Sequence, residues 1–178
     1  LETLSGHRYL ARWRVAGIQA PVAVLESQTP PEADPLLRRP GEGEDVVADY
    51  RSLGLTLRTH PLALLRPRLD RLGALPAAAL WERNDGDRVC YAGMVINRQR
   101  PGSAKGVTFV TLEDETGLSN AVLTPDMAAR FRVPLHQAAL LEVAGPLQRV
   151  EGVIHVRARE VVPLEIGGAK MPASHDYR

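Results

Sequence analysis

From Arg88 onward the apolar residues recur at every second position in one run after another, and this period constrains the fold more than any other feature. "RVCYAGMVINRQ" (88–99) reads as a first strand. "GVTFVTLED" (106–114) reads as a second, with Thr108, Val110 and Leu112 on one face and Val107, Phe109 and Thr111 on the other. After a "DETG" turn, in which Gly117 is expected in the left-handed helical region, "LSNAVLT" (118–124) is a third. "PDMAARFRVPLHQ" then has helix-start chemistry, with Thr124 as cap and Pro125 at the first position. "AALLEVAGPLQR" (138–149) and "GVIHVRAREVVPL" (152–164) follow as strands four and five, joined by "RVEG".

Three strands, a helix and two more strands is the order of an oligonucleotide-binding (OB) barrel. The expected fold class is α+β: a five-stranded OB-fold β-barrel preceded by a small helical region. Upstream the period is helical. Leu4, Leu10, Trp13 and Ile18 fall near one side of a basic amphipathic helix that Gly17 ends. Residues 26–45, rich in Pro, Gly and acids, read as a linker or long loop. Val46, Val47, Tyr50 and Leu53 make the next stripe, and a further helix starts at Pro61, broken near Pro67 and again at Pro76. The organisation expected is 1–25 as the end of one helical region, 26–45 as linker, 46–85 as a helical connecting segment, 86–164 as the barrel and 165–178 as a tail. Opening on Leu1 already in helical periodicity, the chain reads as a fragment cut from something longer.

With 178 residues, 44% of them apolar, the chain can bury a core. Aromatic residues are only 4%, which limits base stacking to a few positions, and a net charge of +1 means that nucleic-acid binding must rest on where the cations sit. The single cysteine, Cys90, cannot form an internal disulfide, fits a reducing cytoplasm and reads as a small apolar strand residue. No apolar run approaches the roughly 20 residues of a membrane helix. A cytoplasmic location without a membrane partner is expected.

The loop 97–106, "NRQRPGSAKG", carries Arg98, Arg100 and Lys105 with no acid between them, beside glycines that let backbone approach a phosphate. On an OB barrel it overhangs the groove in which single strands lie, where cations neutralise phosphates without reading sequence; the alternative is a solvated surface loop. On strand five His155, Arg157 and Arg159 alternate with Ile154, Val156 and Ala158. The apolar trio would fill the barrel, and the basic trio would line the groove or sit in water opposite Glu142. Phe109 is the candidate for base stacking, with a core position as the alternative, and Arg149, on the loop between strands four and five, is a further candidate contact. Glu113, Asp114 and Glu115 have the composition of a hairpin turn, and adjacent strand positions point to opposite faces, against a two-metal site. His7, His60, His136, His155 and His175 are scattered without metal spacing, and no nucleophile or phosphate-cradling motif is present, so neither a catalytic residue nor a metal site is expected.

"DRVCYAGMVINRQRPGSAKGVTFVTLEDETGLSNAVLTPDMAARF", continued by "LLEVAGPLQRVEGVIHVRAREVVPL", resembles the OB domain of bacterial DNA polymerase III alpha-type subunits, most specifically at Lys105–Gly117. Asp49–Pro67 resembles the segment that precedes that barrel, and Leu4–Trp13 the tail of the family's helix-hairpin-helix region. The "RQRPGSAKG" loop and the "MPASHDYR" end point to the error-prone branch, ImuC, although His175 and Tyr177 depart from its usual ending. The resemblance implies the C-terminal part of a damage-tolerant polymerase acting in induced mutagenesis. Its partners would be single-stranded DNA, an ImuB-like Y-family-related protein and an ImuA-like RecA-related protein. The family's catalytic aspartates and the Mg²⁺ they hold belong to an upstream palm domain, so no cofactor is expected on this chain and it should be inactive alone. A purely protein-docking module and the anticodon-binding barrel of a tRNA synthetase are the other readings.

Overall fold

The structure, a computed structural model, describes residues 6–17, 34–150 and 152–166. The chain divides into two compact units, Leu1–Asp45 and Val46–Arg178.

In the first unit α1 (Arg8–Ala16) starts on His7, whose Nδ1 accepts from the Leu10 N–H at 3.4 Å, and ends at Gly17, as the sequence suggested. No residue of α1 is buried; Leu4 and Ile18 of the expected stripe lie outside the described residues. Arg38 grips Glu44 through both guanidinium nitrogens (2.8 and 2.5 Å). Glu44 Oε2 also accepts from the Gly41 N–H at 2.8 Å, which closes the first turn of α2 (Glu42–Leu53). The Arg38 guanidinium, helped by that amide, lowers the Glu44 carboxyl to about 2. This local capping starts the helix at Glu42, before the linker was expected to end at residue 45.

In the second unit α3 (Pro61–Arg71) has proline at its first position and the His60 ring as cap, Nδ1 accepting from the Leu62 N–H at 3.1 Å. It runs through Pro67 without the expected break. Pro67 lies on the exposed face, and Leu62 and Leu69, buried on the other, hold the helix against the barrel. Gly73 (φ 75°) ends it, and α4 (Ala77–Leu80) follows Pro76.

The strands are β1 (Arg88–Gln99), β2 (Thr108–Asp114), β3 (Gly117–Leu123), β4 (Leu140–Val150), β5 (Val153–Arg157) and β6 (Glu160–Pro163), with α5 (Pro125–Arg130) and α6 (Arg132–Gln137) between β3 and β4. Their order β1-β2-β3-β5-β4 closes through β1–β4, with β3–β5 parallel and the other pairs antiparallel. This is the OB barrel expected from the strand order. β1 serves two partners, pairing β4 over Arg88–Met94 and β2 over Met94–Gln99. It bends at Gly93, where a Cβ would stand 2.7 Å from that of Leu112, and slips one register position between Val95 and Asn97.

The expected fifth strand is split. β5 and β6 follow β4 in sequence, but an extra residue between them sends the Ala158 N–H to the Val122 carbonyl (3.0 Å) and the Arg159 N–H to the Ala144 carbonyl (2.8 Å). The bulge presses on Gly145, where a Cβ would lie 2.0 Å from the Arg157 carbonyl oxygen. Only glycine fits there.

Two apolar clusters hold the unit. Val89, Tyr91, Val95, Val110, Leu112, Leu123, Leu141, Leu147, Ile154 and Val156 fill the barrel, closed by Leu80 of α4 and Leu135 of α6. Each fully buried leucine contributes about 2 kcal/mol. The second cluster joins Val47, Leu62, Leu69 and Ala74 to Ala92 on β1 and Leu140 on β4, with Cys90 and Met94 packed against it. Cys90 is therefore a packed strand residue, and burial, followed by Glu142, pushes its thiol up to about 12. Ile166, in the expected tail, is buried in the same cluster, while residues 167–178 lie outside the described ones. Among the described residues of the second unit, helical packing is concentrated on the outside of β1 and β4, while α3 also reaches β2 and α4 and α5 touch β3.

Candidate nucleic-acid interface

Alternation along β2 puts Val110, Leu112 and Asp114 inside and leaves Phe109 and Thr111, half-buried, on the outer face. Phe109 is therefore no core residue. Its cross-strand neighbours are Gln99 on β1 and Val122 on β3, and Val122 in turn faces Arg157 on β5. Gln99, Phe109, Val122 and Arg157 form one row across four strands. Asn97, Thr111 and Asn120 form the next, in which the Thr111 hydroxyl donates to Asn120 Oδ1 at 3.0 Å. His155 stands two residues before Arg157 on the same face of β5, half-buried, its Nδ1 closed off without a hydrogen-bond partner among the described residues.

The β1–β2 loop rises beside the first row. After Pro101 it makes a short 3-10 turn (Gly102–Ala104), then Lys105 takes φ 48°, the left-handed region, the one non-glycine residue to do so among the described residues. Its ammonium-bearing side chain is exposed, as is that of Arg100, which lies back over Gly106: a Cβ on that glycine would be 3.2 Å from Arg100 Nη2. Neither cation makes an ion pair among the described residues.

The other cations picked from the sequence have different surroundings. Arg98 points its Nη2 at the Ala138 carbonyl (2.6 Å), tying β1 to the segment that follows α6. Arg149 lies within β4 and not on a loop. Its guanidinium donates to the carbonyls of Trp81 and Arg83, with Nε 3.1 Å and Nη2 2.8 Å from the latter, and its N–H donates to Asp85 at 2.8 Å. Arg159 stands at the bulge, exposed, where the strict alternation with His155 and Arg157 is lost. Opposite Glu142 the register puts Ala92 and Val162, and opposite His155 it puts Gln148. The basic trio therefore does not sit opposite Glu142.

The acids of "EDETG" are used in packing. Asp114, 4% exposed, accepts through Oδ1 from the Thr116 N–H (2.7 Å), the Thr116 hydroxyl (2.6 Å) and the Gly117 N–H (3.1 Å). Its Oδ2 accepts from the Ala77 N–H at 2.7 Å and from Arg66 at 3.1 Å. Arg66 also holds Glu115 at 2.5 Å. Gly117 closes this hairpin at φ 146°, an extended positive-φ state and not the left-handed helical one expected. No group of three or more His, Cys, Asp or Glu among the described residues could hold a metal ion, and no described helix is long and apolar enough to cross a membrane.

One exposed aromatic escaped the sequence reading. Trp81, 54% exposed, lines a cleft with Leu118, Asn120, Val153 and Ile154. Its place after the barrel-plugging Leu80 was the available signal.

Comparison with known proteins agrees with this geometry. The tRNA_anti-codon family, an OB-fold nucleic acid binding domain, matches residues 89–164. The error-prone DNA polymerase of Methylococcus capsulatus is 50% identical over 158 residues, covering 89% of this chain and 15% of that protein. That of Alkalilimnicola ehrlichii is 52% identical over 158 residues, with the same shares. The chain thus spans about 15% of the length of these relatives. A more distant overlap, with a TM-score of 0.45 and 21% identity, is with asparaginyl-tRNA synthetase from Pyrococcus horikoshii complexed with asparaginyl-adenylate, over 52% of this chain and 22% of that one.

Proposed function

For a chain homologous over most of its length to a segment of the error-prone DNA polymerases, we propose that the barrel is an accessory element that holds single-stranded template DNA for a polymerase site elsewhere in a longer protein. The observation that carries this reading is the outward-facing row Gln99–Phe109–Val122–Arg157, with Arg100 and Lys105 on the loop at one end of it. An aromatic ring among polar groups accepts a base face, and flanking cations without acid partners neutralise the backbone; neither demands a particular sequence. Arg159 extends the cationic edge to the bulge, with His155 as a polar neighbour of Arg157 on β5. Arg98 and Arg149 serve by holding the loop-bearing strands in place. Nucleotidyl transfer, and the Mg²⁺ it needs, are assigned to other parts of that parent protein, whose setting is damage-induced synthesis in the cytoplasm.

The second reading is docking of an ImuB-like or ImuA-like partner, favoured by the exposed apolar residues Leu118, Val150 and Val153 at one end of β3, β4 and β5. Charge reversal separates the two. The triple variant Arg100→Glu, Lys105→Glu, Arg157→Glu alters exposed or half-exposed cations with no ion-pair partner among the described residues, and should keep its thermal unfolding midpoint. Anisotropy of a labelled mixed-sequence single strand should then report binding at least tenfold weaker than for the unaltered chain. Equal affinity would transfer the barrel to the protein-docking reading.

A further inference from the structure

α4 plugs one end of the barrel with Ala77 (3% exposed) and Leu80 (1%), and the next residue, Trp81, is left half in solvent. The turn that carries it is braced by Arg149, which binds the Trp81 and Arg83 carbonyls from the far end of β4. The backbone beneath the indole is thereby held in place before anything stacks on the ring. The cleft beside it opens where β3 and β5 part, since their parallel pairing is confined to Ala121↔Val156 and Val122↔Arg157. Leu118, Val153 and Ile154 make its apolar walls, and Ser119 and Asn120 are the polar side chains of its lining. The Asn120 oxygen already accepts from Thr111 (3.0 Å), which fixes the carboxamide and keeps its two N–H donors for a ligand.

We propose that this cleft is a nucleobase site: one unpaired base of a DNA single strand stacks on Trp81, with the Asn120 amide donating to an acceptor on its edge. The inference rests on the barrel reading above. From Leu118 to Val122 is four residues of β3, about 13 Å at strand rise, and over that distance the outer face passes from the cleft through Asn120 and His155 to the Phe109–Arg157 row and the loop cations. Two aromatic platforms joined by donors and cations suit a short run of nucleotides, with a base at each end. An apolar protein side chain in the same cleft would leave the Asn120 donors without an acceptor.

The whole 178-residue chain carrying Trp13→Phe retains Trp81 as its only tryptophan. Titration with a mixed-sequence single strand should quench Trp81 emission with the midpoint that anisotropy of the labelled strand gives. Trp81→Ala should weaken binding about tenfold and Trp81→Phe by less, since stacking on an aromatic face is what is lost. Because the residue is half exposed, neither variant should change the unfolding midpoint. A strand that binds with unchanged Trp81 emission and equal affinity for Trp81→Ala would overturn the base site, leave the barrel reading standing, and return the cleft to a protein contact. Absence of any binding by the unaltered chain would overturn both.

Discussion

Asp114 joins more of this structure than any nearby side chain. Its two carboxylate oxygens close the β2–β3 hairpin, cap the first turn of α4 and anchor Arg66 of α3, with 1% of the side chain exposed. Asp114→Ala would take one carboxylate from the Arg66 guanidinium, which keeps Glu115, and would leave the Ala77, Thr116 and Gly117 amides without this acceptor, a loss of about 3 kcal/mol. Chemical denaturation should register it as a large drop in midpoint. The sequence made Asp114 legible as a turn residue, but not its reach across 48 positions to Arg66, which no local pattern encodes. The same holds for the cations. Charge is visible in a sequence and its partner is not, so nothing local separates Arg98 and Arg149, held by the carbonyls of Ala138, Trp81 and Arg83, from Arg100. Tyr91 is a ring sealed in the barrel, its phenol raised by burial and only partly offset by Ser119.

Among the elements, strands declared themselves through period two, and their order gave the barrel. The β5–β6 bulge did not, because one inserted residue breaks alternation only at Arg159–Glu160, two charged residues that are exposed in either register. Its one sequence mark is on a different strand, at Gly145. Gly145→Ala must displace the Arg157 carbonyl, and with it the presentation of the Arg157 side chain. It is expected to cost about 3 kcal/mol and about 10 °C of unfolding midpoint, measured by thermal denaturation, whereas Gly102→Ala, in open space on the loop, should cost far less. Pro67 misled in the other direction. A proline removes one helical hydrogen bond, but a helix anchored by buried Leu62 and Leu69 keeps its course.

For the whole chain, a net charge of +1 gave no indication of a nucleic-acid partner, yet the acids and cations are sorted. Asp114 and Glu115 are engaged by Arg66 beneath the β2–β3 turn, while Arg100, Lys105 and Arg157, at the other end of the outer face, have no ion pair among the described residues. Among the described residues of the second unit, helical packing is concentrated on β1 and β4, and Phe109 and these cations share the outer face of β2, β3 and β5. The measurement that tests this arrangement most directly is the salt dependence of single-strand affinity for the unaltered chain, read by anisotropy between low and moderate ionic strength. Three phosphate contacts by these cations predict that log affinity falls linearly with log salt concentration at a slope of roughly −2. A slope near zero, or no binding at low salt, would contradict the account.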